Sequence, residues 1–152
     1  MMRLSTERRR RSPALGIVLL AVLAVTGCGG GGESVYPVRG QIVYSDGSPA
    51  TDLEGFTVTF ESVEHAATAE QVGIGAWGLV QSDGTFTVGT HKGADGAVLG
   101  RHRVAISPEV QLAEGPVGKS PIPTKYATMA NSGLEVEVAR GRNNIVLTLE
   151  RE

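Results

Sequence analysis

The chain has 152 residues, 41% of them apolar, and carries a formal charge of −2 at neutral pH. That length gives room for one domain with a single core, and that apolar fraction excludes a chain disordered throughout. Five of the 14 basic residues lie within the first 11 positions, and beyond residue 27 there remain 9 basic and 15 acidic residues, a formal charge of −6. A surface of that sign repels a phosphate backbone, which excludes nucleic acid as a partner.

Residues 1–27 have the pattern of a secretory signal peptide. A basic head covers 1–13, and an uncharged, mostly apolar run of 13 residues follows over 14–26. A membrane-spanning helix needs about 20 apolar residues, whereas a basic head, a short apolar run and small residues at its end are typical of a secretion signal. An ordinary signal peptide or an uncleaved anchor is the alternative.

The end of this segment, Val25-Thr26-Gly27-Cys28, resembles the lipobox of bacterial lipoproteins. The resemblance implies that the thiol of Cys28 is alkylated with diacylglycerol, that cleavage occurs before it, and that its new amino group is acylated, for example with palmitate. Two or three acyl chains, at about 0.8 kcal/mol for each buried methylene, anchor a protein effectively permanently to membrane lipid. Residues 28–35 then form the lipidated cysteine and a glycine-rich tether. Gly29 stands where enterobacterial lipoproteins carry an inner-membrane retention aspartate, which favours the outer membrane and leaves its face open.

From residue 35 onward, short alternating runs are separated by Asp-Gly, Pro and Gly signals, which is typical of an all-β sandwich. Phe56, Val58 and Phe60 alternate with polar residues and mark a strand buried on one face. The turn at 82–84 predicts a hairpin between its flanking strands. We therefore expect an all-β, seven-stranded antiparallel β-sandwich over residues 36–152. The predicted strands cover residues 38–44, 56–61, 76–81, 85–88, 100–107, 134–138 and 145–149.

The predicted core consists of the apolar residues on the inward side of these strands. Each large side chain, once fully buried, contributes about 1.5–3 kcal/mol, most of which is offset by ordering of the backbone. The set is Ile42, Phe56, Val58, Phe60, Phe86, Val88, Val104, Ile106, Leu134, Val136, Val138, Ile145, Leu147 and Leu149.

Three stretches of this domain resemble the carboxypeptidase regulatory-like (transthyretin-like) sandwich domains, in the form common among short planctomycete lipoproteins. The resemblance covers roughly residues 36–150 and implies a transthyretin-like or immunoglobulin-like Greek-key fold. It also implies a non-catalytic accessory in a cell-surface setting, because the peptidase domain is absent. At His102 the family commonly carries a tyrosine instead. The stretches are 38–42 before the turn at 46–47, then 82–86 with 95–97 and 100–104, then 122–126 leading to 132–134.

Catalytic and metal-binding patterns are missing from the sequence. His65, His91 and His102 match no zinc motif, and no serine stands in a nucleophile elbow. We therefore expect three core or surface histidines, no enzymatic activity, no cofactor and no metal site.

Three aspartates precede a glycine: Asp46, Asp83 and Asp95. Calcium ligation is one interpretation, but a calcium loop needs a dense alternation of acidic residues that is missing here. We expect these residues to form turns.

Trp77 is the only tryptophan and lies among the small residues of 73–78. We expect it in the core, although small neighbours would also admit a ligand or partner. The proline-bearing stretch 109–125 is either a binding element or a connection. Two functions follow: an interaction module that binds an envelope protein or polymer at the membrane, or a small-ligand or glycan-binding domain that uses Trp77. A buried Trp77 would count against the second.

Mass spectrometry of the mature N-terminus tests the lipidation of Cys28. The expected mature protein begins at Cys28 and carries added acyl mass, and Cys28→Ala removes both that mass and the membrane association. An intact leader, or an unmodified wild-type Cys28, contradicts the prediction.

Overall fold

Strand β3 (Thr57–Ser62) shows how alternation in the sequence becomes one face of a sheet. The computed structural model describes residues 33–68, 73–108 and 119–152, and in it Val58 and Phe60 are fully buried while Thr57, Thr59 and Glu61 are half-exposed. The predicted leader, Cys28, most of the tether and the first part of the 109–125 stretch lie outside the described residues.

The described part of the chain is all-β, and residues Glu33–Glu152 form one unit. Besides nine strands it contains two short 3-10 turns, Thr51–Leu53 and Thr124–Ala127. Among these described residues no helix is long and apolar enough to span a bilayer. The strands are β1 (Val35–Tyr36), β2 (Val38–Tyr44), β3 (Thr57–Ser62), β4 (Gly75–Leu79), β5 (Thr85–Thr87), β6 (Ala97–Val98), β7 (Gly100–Ser107), β8 (Leu134–Val138) and β9 (Asn143–Leu149).

The strands form a four-stranded sheet in the order β4-β3-β7-β8, a three-stranded sheet in the order β5-β2-β9 and the small pair β1-β6. This arrangement is consistent with a β-sandwich. Within the described ranges there are nine strands, so the expected number of seven is wrong. The two additional strands, β1 and β6, are two residues long and pair only with each other, which is too short for alternation to reveal.

The pairing of β2 with β9 corrects the expectation that every neighbour is antiparallel. These strands run parallel over seven residue pairs, from Val38 opposite Asn143 to Tyr44 opposite Leu149. The predicted closing strands β8 and β9 follow each other in sequence but join different sheets. Side-chain periodicity reports which face of a strand is buried, and it carries no information on the direction of the neighbour.

The predicted hairpin between β4 and β5 is only partly formed. Its turn is tight, because the Gly84 N–H donates to the Gln81 carbonyl (2.9 Å), and main-chain bonds join Gln81 to Thr85 and Trp77 to Gly89. Between those points β5 pairs with β2 instead. The hairpin therefore passes the chain from one sheet to the other.

The core follows the predicted set closely. Ten of its 14 members are buried, and the other four, Phe56, Leu134, Val136 and Ile145, pack partly buried against them. The prediction omitted several other buried side chains of the strands, turns and loops: Val38, Tyr44, Ala50, Leu53, Ala76, Val80, Ala97, Val98, Ala105, Ile122 and Tyr126.

A row of three rings joins the two larger sheets. Phe86 of β5 meets Phe60 of β3 edge to face at 6.2 Å between centroids, and Phe60 meets His102 of β7 at 5.9 Å. Gly40 of β2 lies opposite Phe86, and a methyl group added there would overlap the Phe86 ring and approach the Ile145 carbonyl oxygen to 2.8 Å. A glycine at position 40 is therefore required by packing.

The buried Tyr44 contacts Arg151, next to the last residue of the sequence, and Asp52. Its hydroxyl donates to Asp52 Oδ1 (2.6 Å), and the Arg151 guanidinium lies 3.6 Å above its ring while reaching Asp52 Oδ2 (3.2 Å). Burial of the hydroxyl, followed by its bond to the Asp52 carboxylate, raises the pKa of Tyr44 well above 10.0. The phenol stays neutral as the donor of this contact.

Gly40→Ala should lower the free energy of unfolding by about 1–3 kcal/mol, because the new methyl group overpacks the Phe86 ring. Urea unfolding of Gly40→Ala, Phe86→Leu and the double variant measures the coupling. We expect the double variant to lose less stability than the two single losses added together, by roughly 0.5 kcal/mol or more. Strict additivity would show that the ring does not require this glycine.

Candidate functional site

Trp77 lies on the outer face of the edge strand β4. Ala76 and Val80 point into the core, whereas Trp77 is 61% exposed and Leu79 is 38% exposed. The expectation that Trp77 belongs to the core is therefore wrong. Its physical reason is the register of β4, in which Ala76 lies opposite the buried Phe60 and the alternating position 77 must face outward.

A groove of about 300 Å³ runs beside the Trp77 side chain. One wall is the outer face of β4 and β5, and the other is the loop that follows β5. Its lining combines an aromatic plane, a leucine, two threonines, an imidazole and an ammonium group. These side chains belong to Trp77, Leu79, Thr87, Thr90, His91 and Lys92.

Asp95 holds the loop that forms the second wall. Its carboxylate accepts hydrogen bonds from the backbone N–H groups of Thr90 (2.7 Å), Lys92 (3.0 Å) and His91 (3.2 Å). Partial burial raises the pKa of Asp95, but these N–H groups outweigh it, so the net pKa is lowered and the group stays ionised. The reciprocal bonds between Trp77 and Gly89, both 3.0 Å, attach the loop to β4. The groove is therefore preformed.

Asp46 and Asp83 form turns, as predicted, whereas Asp95 ends a turn that begins at Lys92 and binds the loop before it. Asp46 Oδ1 accepts from the Ser48 N–H (2.8 Å) and hydroxyl (2.6 Å), and Asp83 Oδ1 accepts from the Thr85 N–H (2.9 Å) and hydroxyl (2.6 Å). Those bonds lower the pKa of both carboxyl groups. In residues 33–68, 73–108 and 119–152, no group of three His, Cys, Asp or Glu side chains is placed to hold a metal ion.

The three histidines occupy different surroundings. His91 lines the groove and is exposed, and His65 is half-buried beyond β3. His102 is only 1% exposed, and its Nδ1–H donates to the Gly100 carbonyl (3.0 Å). His102 is therefore a core histidine whose ring N–H is hydrogen-bonded, which is one of the two positions expected for the histidines. Burial lowers the pKa of His102, while the carbonyl and the carboxylates of Glu64 and Glu137 partly oppose that shift.

Sequence reasoning named Trp77 but missed its partners in the groove. The residue that could have revealed these partners is Asp95. Its side chain binds the backbone three to five residues earlier instead of forming a simple turn around itself. Such a bond pattern depends on the path of the loop and has no fixed spacing in the sequence. Cys28, the other predicted site residue, lies outside the described residues.

What the groove is able to do follows from its chemistry. An exposed indole offers a flat apolar face that stacks on a sugar ring or packs against an apolar side chain, and its N–H donates to a polar group. Lys92 and His91 add polar contacts at the rim. Exposed tryptophans with such surroundings are frequent anchors of binding surfaces.

No protein-family model, no curated protein and no solved structure matches this chain.

The pH dependence of stability tests the burial of His102. Its pKa in the folded protein lies below the 6.5 of the free side chain, so between those values the unfolded state binds more protons and stability falls as the pH falls. We expect the free energy of unfolding to be full above about pH 6.5 and to decline below it. His102→Phe, which keeps a ring but does not titrate, should flatten this part of the profile.

Asp83→Asn is the matched control for that measurement. The lowered pKa of Asp83 contributes stability that is complete above its ordinary value of 3.8 and is lost in more acidic solution. This variant should therefore lower stability by a constant amount between pH 5 and 7 and change the slope of the profile only near and below pH 3.8. A profile between pH 5 and 7 that is identical in wild type and His102→Phe contradicts the assignment.

Proposed function

We propose that this chain is an exported lipoprotein whose single domain is a non-catalytic interaction module at the cell envelope. Acylated Cys28 inserts in membrane lipid, and the Trp77 groove contacts an envelope protein or polymer. The exposed indole of Trp77 beside a preformed groove is the observation that carries the proposal.

Trp77 stays largely in water in the folded domain. With 61% of the residue exposed, it forgoes much of the free energy that burial would provide, and Leu79 on the same face adds to this apolar surface. The fold does not need Trp77 there, since its neighbours Ala76 and Val80 already fill the inner face. A largely exposed aromatic outside the core supports a role in binding.

The anchoring part of the proposal rests on the sequence. The pattern over residues 1–28, with the sole cysteine at the end of the apolar run, supports lipidation at the outer membrane. The all-β fold agrees with the transthyretin-like or carboxypeptidase regulatory-like sandwich that the motifs resemble, and we propose membership of that family together with its accessory, non-enzymatic character.

A small ligand or glycan is the second candidate for the groove. The mixture of an indole face with Thr90, His91 and Lys92 in about 300 Å³ favours a saccharide of a few rings over a large apolar molecule. The two candidates share the same surface and differ in the size of the bound molecule.

Photo-crosslinking in intact cells tests the proposal at residue resolution. A photoreactive amino acid replaces Leu79, at the groove, or Glu137, which is exposed on β8 at the opposite edge of the four-stranded sheet. We expect one defined adduct from position 79, its loss when Trp77→Ala is added, and none of that adduct from position 137. Equal labelling from both positions contradicts a specific contact at the groove.

Fluorescence of Trp77 separates the two candidates. Addition of neutral oligosaccharides to the lipidated protein in detergent should shift the emission to shorter wavelength if a glycan stacks on the indole. A shift by saccharide without a protein adduct supports the second candidate. Neither an adduct nor a shift from a panel of envelope saccharides would remove the groove as a binding site.

A further inference from the structure

A second cavity, of about 400 Å³, lies next to the Trp77 groove, and we call it the arginine cleft. Its lining is Pro37, Arg39, Arg142, Asn143 and Asn144. Arg39 lies directly opposite Thr87 across β2 and β5, and Thr87 lines the Trp77 groove. The two cavities therefore meet at one pair of residues on the same surface.

The arginine cleft is cationic although the domain as a whole is acidic. The chain beyond residue 27 carries a formal charge of −6, yet the lining holds two guanidinium groups and no carboxylate. Arg39 and Arg142 are both exposed, and neither forms an ion pair with a carboxylate of the described residues. Two unpaired guanidinium groups facing one cavity suit an oxyanion, above all phosphate, which arginine binds in a bidentate manner.

Asn143 makes the turn that carries Arg142 rigid. Its Oδ1 accepts from the Ala139 N–H (2.9 Å), and its Nδ2 donates to the carbonyls of Ala139 (3.0 Å) and Gly141 (3.2 Å). Its backbone N–H donates to the Pro37 carbonyl (2.9 Å), which fastens the turn to the start of β2. The backbone around both arginines is thus fixed before any anion arrives, which lowers the entropic cost of binding.

The position of Pro37 in the chain favours one source for the anion. Nine residue steps separate Cys28 from Pro37, and a fully extended chain of that length spans at most about 30 Å. A lipid on Cys28 would therefore keep Pro37, which lines the arginine cleft, within that distance of the acyl attachment and so near the headgroup phosphates.

We propose that the arginine cleft binds the phosphate of an anionic phospholipid headgroup and so holds the Trp77 groove at the membrane surface. The proposal rests on the lipid anchor at Cys28 proposed above. Anionic headgroups attract arginines close to the bilayer, while the remaining acidic surface is repelled from it, so the domain takes one orientation. Trp77 and Leu79, beside the cleft, then face the interfacial zone where indoles are enriched.

Quenching of Trp77 by brominated lipid tests this orientation, because Trp77 is the sole tryptophan of the chain. The mature lipidated protein is placed in nanodiscs of phosphatidylcholine alone or of phosphatidylcholine with phosphatidylglycerol, each brominated near the headgroup end of the acyl chains. We expect roughly twofold stronger quenching in the anionic discs, and loss of that difference in Arg39→Gln/Arg142→Gln and at high salt.

Arg101→Gln/Arg103→Gln is the matched control, since it removes two exposed charges from β7, opposite Glu137 and Glu135 of β8, in the four-stranded sheet that does not carry the arginine cleft. This control variant should keep the difference in Trp77 quenching between the anionic and the neutral discs. Thermal unfolding of both double variants confirms that each is folded. Equal quenching in both kinds of disc, or an equal loss in the control pair, overturns the proposal.

Two further measurements distinguish binding of a lipid headgroup from a failed lipid anchor and from binding of another anion. Acyl mass and co-elution with the disc report the anchor itself, so a failed anchor is distinguished from an empty cleft. Glycerol 3-phosphate and an acidic oligosaccharide are added as competitors. Abolition of the difference by glycerol 3-phosphate at low concentration would assign the cleft to a soluble phosphate ester, and abolition by the saccharide would assign it to a glycan.

Discussion

The row of rings formed by Phe86, Phe60 and His102 is the contact on which the two sheets depend. Phe86 belongs to the three-stranded sheet, and the other two belong to the four-stranded sheet, so the edge contact between Phe86 and Phe60 joins the layers and the tilted contact with His102 extends it within one sheet. Two local features follow from it. Gly40 has to lack a side chain so that Phe86 can lie over β2, and His102 has to remain neutral in a place that water does not reach.

The sequence patterns predicted well which face of a strand is buried, but poorly which strands pair with each other. β2, β7 and β8 were predicted with their observed limits, and β3 and β9 within two residues. In β3 the reason is plain, because Val58 and Phe60 alternate with polar residues. The parallel partner of β2 and the exchange of β5 between sheets depend on contacts more than 40 residues apart, which periodicity does not encode. Leu53 was missed because a 3-10 turn has no sheet period.

The candidate site was only partly open to prediction for a similar reason. Trp77 was singled out by its rarity and small neighbours, but the same pattern fits a core residue, and only the register with β3 decides between these interpretations. The arginine cleft has no motif at all, because Arg39 and Arg142 come together through the β2 and β9 ladder. Both cavities meet at the pair of Arg39 with Thr87, so a single surface carries the aromatic and the cationic chemistry of this domain.

The parallel ladder between β2 and β9 sets the order in which this domain is able to form. β2 lies near the start of the described chain and β9 near its end, so the middle strand of the three-stranded sheet waits for nearly the whole polypeptide before its second edge is covered. Pairings between such distant segments form late and slowly. Until β9 is available, β2 therefore keeps an open edge with unpaired backbone groups, so a chain lacking residues 143–149 should expose an edge that the folded domain covers.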